Sequence, residues 1–277
     1  MIKFITKISL FLLILGLSSS SYALDFIKFG TGHDGGFWGT PDVAFGTFPS
    51  TVQYLADRGK NQITSIDLTD QNVQDVFNGD FGTFDAIVVS ETITGLSPES
   101  YALFNQYVSD GGCFILTGSH ENEDDFLNNA FGFSVSVVAV GDGEPYSIQS
   151  GAAGTAFAGG PSGLLSANAT VSFSNTPGAV IYSGTTGVAV FTDTFGLGTI
   201  SAFGWDYCCT PPEDEDAILA WYEVVNRGFD QCVSVEPPPP PAPSTIPTLS
   251  EWGLIAMAGV LGMVGLYIAA RKRKLAA

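Results

Sequence analysis

Five consecutive prolines, Pro237 to Pro241, continued by Ala242, Pro243 and Ser244, cut this 277-residue chain in two. Proline fixes φ and donates no backbone hydrogen bond, so such a run is an extended spacer and cannot sit inside a packed element. A globular fold must therefore be complete before it. The other end narrows the foldable part again. Lys3 and Lys7, the apolar run Ile8 to Leu17 and the small-residue ending Ser21-Tyr22-Ala23 have the layout of a secretory signal peptide, with cleavage expected after Ala23. The expected organisation is a signal peptide at 1–23, an ectodomain at 24–235, a proline-rich linker at 236–245 and a C-terminal segment at 246–277.

Within that last segment, Trp252 to Ala270 is almost wholly apolar and is followed by Arg271-Lys272-Arg273-Lys274. A helix over 252–270, rising about 1.5 Å per residue, reaches about the 30 Å of a bilayer core. The basic cluster predicts a cytoplasmic tail and an exported N-terminal side, reached through the Sec translocon. Ahead of the helix stands Ile246-Pro247-Thr248-Leu249-Ser250-Glu251-Trp252-Gly253. Ile246, Pro247, Thr248, Leu249, Trp252 and Gly253 fill every fixed position of IPTLxxWG, so this end resembles the IPTL-CTERM sorting signal. The resemblance implies recognition by an exosortase-type membrane transpeptidase in a Gram-negative bacterium. The membrane-anchored precursor is then cut near the motif, and the mature form is delivered to the cell envelope or outside the cell.

Charge bounds the ectodomain's partners. Between Leu24 and Glu236 lie 27 of the chain's 28 acidic residues and only four basic ones, Lys28, Arg58, Lys60 and Arg227. Nucleic acid is excluded as a partner, because phosphate binding needs clustered Lys and Arg. Disorder of the whole chain is excluded as well, since 45% of residues are hydrophobic and 21 are Phe.

The first half alternates strand and helix. Phe26–Phe29, Ile63–Leu68, Asp85–Val89 and Cys113–Thr117 read as strands. Helices are expected after the caps Ser50 and Asp70 and from Ser97-Pro98, the last stopping at Gly111-Gly112. This spacing predicts an α/β fold with a parallel sheet and right-handed crossovers. From Phe133 to about residue 197 the pattern changes to short apolar runs separated by Gly, Ser, Asn and Pro. That predicts a β-rich insertion of antiparallel strands. Thr199–Phe203 and a helix over Glu213–Asn226 are expected to return to the parallel sheet.

The stretch Tyr107 to Phe133, with its helix ending in Gly111-Gly112 before a buried strand, and the later Gly198 to Asp206, resemble the class I glutamine amidotransferase-like superfamily, including its trehalose-utilisation-protein-like branch. The resemblance implies a flavodoxin/amidotransferase-like α/β domain. It does not bring the activity. The turn after the fourth strand holds Gly118-Ser119-His120 instead of a nucleophilic Cys, and no His follows residue 120. A non-catalytic binding or structural role is therefore expected, with two alternatives: a hydrolase acting on envelope or extracellular polysaccharide, or an adhesin-like binding module.

Open α/β sheets bind ligands at the carboxyl ends of their strands. Polar residues expected there are His33, Asp34, Glu91, Ser119, His120 and Asp206. Among them His33, Asp34, His120 and Asp206 are the candidates for a divalent metal, which is an option and not a requirement. The acidic runs Glu121–Asp125 and Glu213–Asp216 lack the spacing of a calcium loop and read as helix starts. Export permits disulfides. Of Cys113, Cys208, Cys209 and Cys232, the favoured pairing joins Cys208 or Cys209 to Cys232, with Cys113 joined to the remaining one or free.

Overall fold

The computed structural model describes residues 23–31, 38, 49–90, 95–118, 122–140, 143–166, 170–206 and 215–234. Apart from Ala23, the expected signal peptide, the linker and the 252–270 helix lie outside them. Among the described residues no helix is long and apolar enough to cross a membrane.

In chain order the first half contains β1 (Leu24–Phe29), α1 (Thr51–Ala56), β2 (Lys60–Ile66), α2 (Asp70–Phe77), β3 (Ala86–Val89), α3 (Pro98–Ser109), β4 (Cys113–Gly118) and α4 (Glu123–Phe131). The second half contains β5 (Ser136–Ala139), β6 (Pro145–Ile148), a 3₁₀ turn at Ser150–Ala152, β7 (Gly163–Leu165), β8 (Val171–Ser174), β9 (Ala179–Ser183), β10 (Val188–Phe195), β11 (Gly198–Asp206) and α5 (Glu215–Ser234).

Local chemistry sets several boundaries. Ser50 accepts from Gln53 N and opens α1, while Ser97 accepts from Ser100 N and opens α3 with Pro98 at its first position. The cap of α2 is Thr69, not Asp70, which is the first helical residue. The Asp70 carboxylate instead accepts from Ser97 N at 2.8 Å, Ser97 Oγ at 2.9 Å and Ser100 Oγ at 2.5 Å, tying α2 to the start of α3. The Ser100 and Ser97 bonds hold its pKa below the ordinary aspartate value. The acidic run after β4 does begin a helix, with Glu123, Asp124 and Asp125 in the first turn of α4.

One mixed sheet spans the fold. β2, β1, β3, β4 and β11 are parallel neighbours in that order. β11 then pairs antiparallel with β10, and the sheet continues through β9, β6 and β7, while β8 joins β10 and carries β5. The β-rich stretch thus extends the same sheet instead of making a layer of its own. Strand alternation separates the two faces. Phe26, Val88, Ile115, Phe203 and Trp205 pack against α1 and α5, where Trp205 stacks on Trp221 at 5.5 Å. Ile27, Phe29, Ile87, Val89, Phe114 and Leu116 pack against α2, α3 and α4. Phe104 is the hub of that second face, with ring contacts to Phe29, Phe77, Phe114 and Phe126 at 5.2–6.0 Å.

Two further expectations from the sequence are overturned by the fold. α5 runs eight residues beyond Asn226, to Ser234, because Gly228 does not stop it. This glycine packs directly on the Phe203 ring, where a Cβ would lie 2.6 Å from Cζ. The disulfide joins Cys113 to Cys232, not Cys232 to Cys208 or Cys209. The longer helix carries Cys232 to the amino end of β4, where Cys113 starts the strand. Cys208 and Cys209 lie outside the described residues.

Candidate functional site

The parallel strands reverse their order about β1 and β3: β2 lies beyond β1 on one side and β4 beyond β3 on the other. In open α/β sheets such a switch point is where ligands bind, at the carboxyl ends of the strands. The described residues there form a tight polar lattice. Lys28, the penultimate residue of β1, is fully buried. Its ammonium donates to the Gly30 carbonyl and, at 3.2 Å, to Ser65 Oγ. It also lies 5.8 Å from the centroid of the Trp38 ring, whose Nε1 donates to Gln62 Oε1 at 2.8 Å. A buried ammonium is costly unless its donors are engaged, and these contacts offset that cost.

Ser90, the residue after β3, is also fully buried. Its hydroxyl lies 3.3 Å from both the Phe29 and Gly30 carbonyls, and its N–H donates to Phe29 O at 2.9 Å. The Thr31 hydroxyl donates to the Asp67 carboxylate beyond β2. Further along the same edge, Glu123 is fully buried at the start of α4.

The far side of the edge is closed by backbone. A Cβ on Gly118 would lie 2.5 Å from the Gly204 carbonyl oxygen, and one on Gly204 would overlap the Val171 carbonyl. Only glycine at both positions lets β4, β11 and β8 approach this closely. Asp206 ends β11 with its backbone paired to Gly118.

His33, Asp34, Glu91, Ser119 and His120 lie outside the described residues, and so does the side chain of Asp206. Their convergence stays a proposal. Among the described residues no three His, Cys, Asp or Glu side chains cluster as a metal site. Lys28, Ser90 and Trp38 were not expected at this edge from the sequence. The one trace in the sequence was a lysine inside the otherwise apolar Phe26–Phe29 run, which does not by itself say that the position faces the core.

The other three basic residues of the ectodomain are held by internal partners. Arg58 lies over the Tyr54 ring at 3.5 Å, Lys60 pairs with Asp230 at 2.7 Å, and Arg227 pairs with Glu223 at 2.8 Å while donating to the Ala156 and Ala158 carbonyls. Tyr54 donates to Glu223 at 3.0 Å, and burial followed by that bond pushes its pKa up to about 12.

Comparison with known proteins divides along the chain. No curated protein matches it. Among solved structures, a ThuA-like protein from Parabacteroides merdae shares 11% identity, with 81% of this chain and 94% of that one covered, at a TM-score of 0.51. The mmIFT52 N-terminal domain matches at 9% identity, 76% and 97% coverage and a TM-score of 0.48. A β-galactosidase from Bacillus circulans matches at 10% identity and a TM-score of 0.45, with 78% of this chain covering 32% of that enzyme. At this identity the ThuA-like similarity shows the fold alone. Residues 245–273 match the IPTL-CTERM motif, which implies an exported, envelope-directed protein processed by an exosortase-type enzyme.

Proposed function

We propose that this chain is an exported envelope or extracellular protein. Its ectodomain serves a non-catalytic binding role and is released from a C-terminal membrane helix by an exosortase-type transpeptidase. The IPTL-CTERM match at 245–273 carries the reading. The proline spacer before the motif supports it, since it would hold the cleavage region clear of the folded domain. A binding role is favoured because no amidotransferase nucleophile or downstream His exists at the expected turn. The binding surface in this reading is the carboxyl edge of the parallel strands, which is built over the buried Lys28 and Ser90.

Mass spectrometry of the mature C-terminus, from cells with and without the exosortase, tests the sorting step. The expected product ends near the motif, and the uncut precursor accumulates without the enzyme. A mature protein that still carries Trp252 to Ala277 in exosortase-positive cells refutes it.

A further inference from the structure

At the opposite, amino edge of the sheet, α2 and α3 border an open pocket of about 370 Å³, lined by Phe77, Leu103, Gln106, Tyr107, Asp110 and Gly112. That size falls within the usual span of small-ligand sites. We propose that this pocket binds an organic ammonium group. The inference is independent of the sorting reading and of the carboxyl edge.

Two aromatic walls are fixed in place. The Tyr107 and Phe77 ring centroids lie 5.8 Å apart. The Tyr107 hydroxyl donates to the Asp85 carbonyl at 3.1 Å, which holds the ring in place. Phe77 is buttressed edge-on by Phe104 at 5.4 Å. Gly112 completes the wall, since any Cβ there would overlap the Tyr107 ring. The second glycine of the pair that stops α3 is therefore spent on seating this ring, not on the carboxyl edge.

The electrostatics of the pocket have one sign. Asp110 caps α3, and neither α2 nor α3 has a basic residue in its last turn. Helix C-termini carry partial negative charge, so the two helix ends and the Asp110 carboxylate favour a cation. No lining residue is basic. An anionic ligand would be repelled by the Asp110 carboxylate, and a neutral one would gain nothing from it. An organic ammonium uses both features, with its charge set between the aromatic walls and Asp110.

The test is calorimetric titration of the full chain at low salt with choline and with its neutral carbon isostere, 3,3-dimethyl-1-butanol. Parent, Asp110→Asn and Phe77→Leu proteins are compared. Asp110 is exposed, so an unchanged Tm for Asp110→Asn certifies that the fold is intact. The expected result is saturable choline binding, weaker binding as salt rises, no binding of the isostere, and about a two- to five-fold loss in Asp110→Asn. Equal binding of the two probes overturns the proposal and makes the pocket merely apolar. So does an Asp110→Asn affinity equal to the parent's, or an absence of saturable choline binding.

Discussion

Removing the disulfide should lower stability by an amount the sequence separation sets. Cys113 and Cys232 are 119 residues apart. In the chain-entropy description, a bridge closing a loop of that length restricts the unfolded chain by about 5 kcal/mol at 25 °C, and native bridges deliver somewhat less, so a loss of about 3–5 kcal/mol is expected. For a domain of this size each kcal/mol shifts Tm by about 2–4 °C, which places the fall at about 6–20 °C. The perturbation is the double variant Cys113→Ala/Cys232→Ala, followed by circular dichroism melts with and without reductant. Reductant should lower the parent's Tm and leave the variant's almost unchanged. A non-reducing peptide map should recover Cys113 linked to Cys232. If the variant melts with the parent, or if the map joins Cys232 to Cys208 or Cys209, the assignment and the magnitude both fail.

Phe104→Ala, which empties the aromatic hub of the second face, should cost about 3–5 kcal/mol in denaturant unfolding, and a loss under 1 kcal/mol would deny that packing. Gly204→Ala should destabilise far more than Gly132→Ala. The first places a methyl on the Val171 carbonyl, and the second has open space at a φ of 69° and meets only left-handed strain; comparable melts would refute the close approach. Asp70 has a lowered folded pKa, so its stabilisation is complete above the unfolded value near 3.8 and is lost as pH falls through the folded one. Asp70→Asn should therefore flatten the acid limb of stability against pH. An unchanged acid limb would show the serine bonds to be absent. Tyr54, Tyr182 and Tyr222 are pushed up to about 12, chiefly by burial. Ultraviolet titration of the folded protein should leave tyrosines un-ionised at pH 11 that ionise on unfolding, and full ionisation at pH 11 without unfolding would contradict their burial.

What the sequence made legible was what local chemistry determines. Ser50 and Ser97-Pro98 announced their helices, and the apolar runs around Phe26, Ile87 and Phe114 marked inner strands, because capping and periodicity are properties of neighbouring residues. The return of the last strand to the sheet was legible from its apolar run, and β11 does lie parallel to β4. Other features depended on residues far apart in the chain. The end of α5 depended on Gly228 packing on Phe203, and the partner of Cys232 depended on how far α5 ran. The three-residue β7 was too short to show a period. Asp70 resembled a cap because a capping aspartate and one reaching to the next helix look alike in sequence. The burial of Lys28 was not legible, because a lysine in a short apolar run gives no sign of whether its position faces the core or the solvent.

The bridge also decides how the domain takes load. The described chain ends at Ser234, two residues past Cys232, just before the proline spacer begins. Tension drawn along the spacer would first reach the last turn of α5, and a bare helix end would peel away turn by turn. Here the pull passes through a covalent bond to Cys113 at the start of β4, which has β3 on one side and β11 on the other. Strand separation at the centre of the sheet, and not helix fraying, becomes the yield point. An oxidised domain should therefore resist a pull on its tail better than a reduced one.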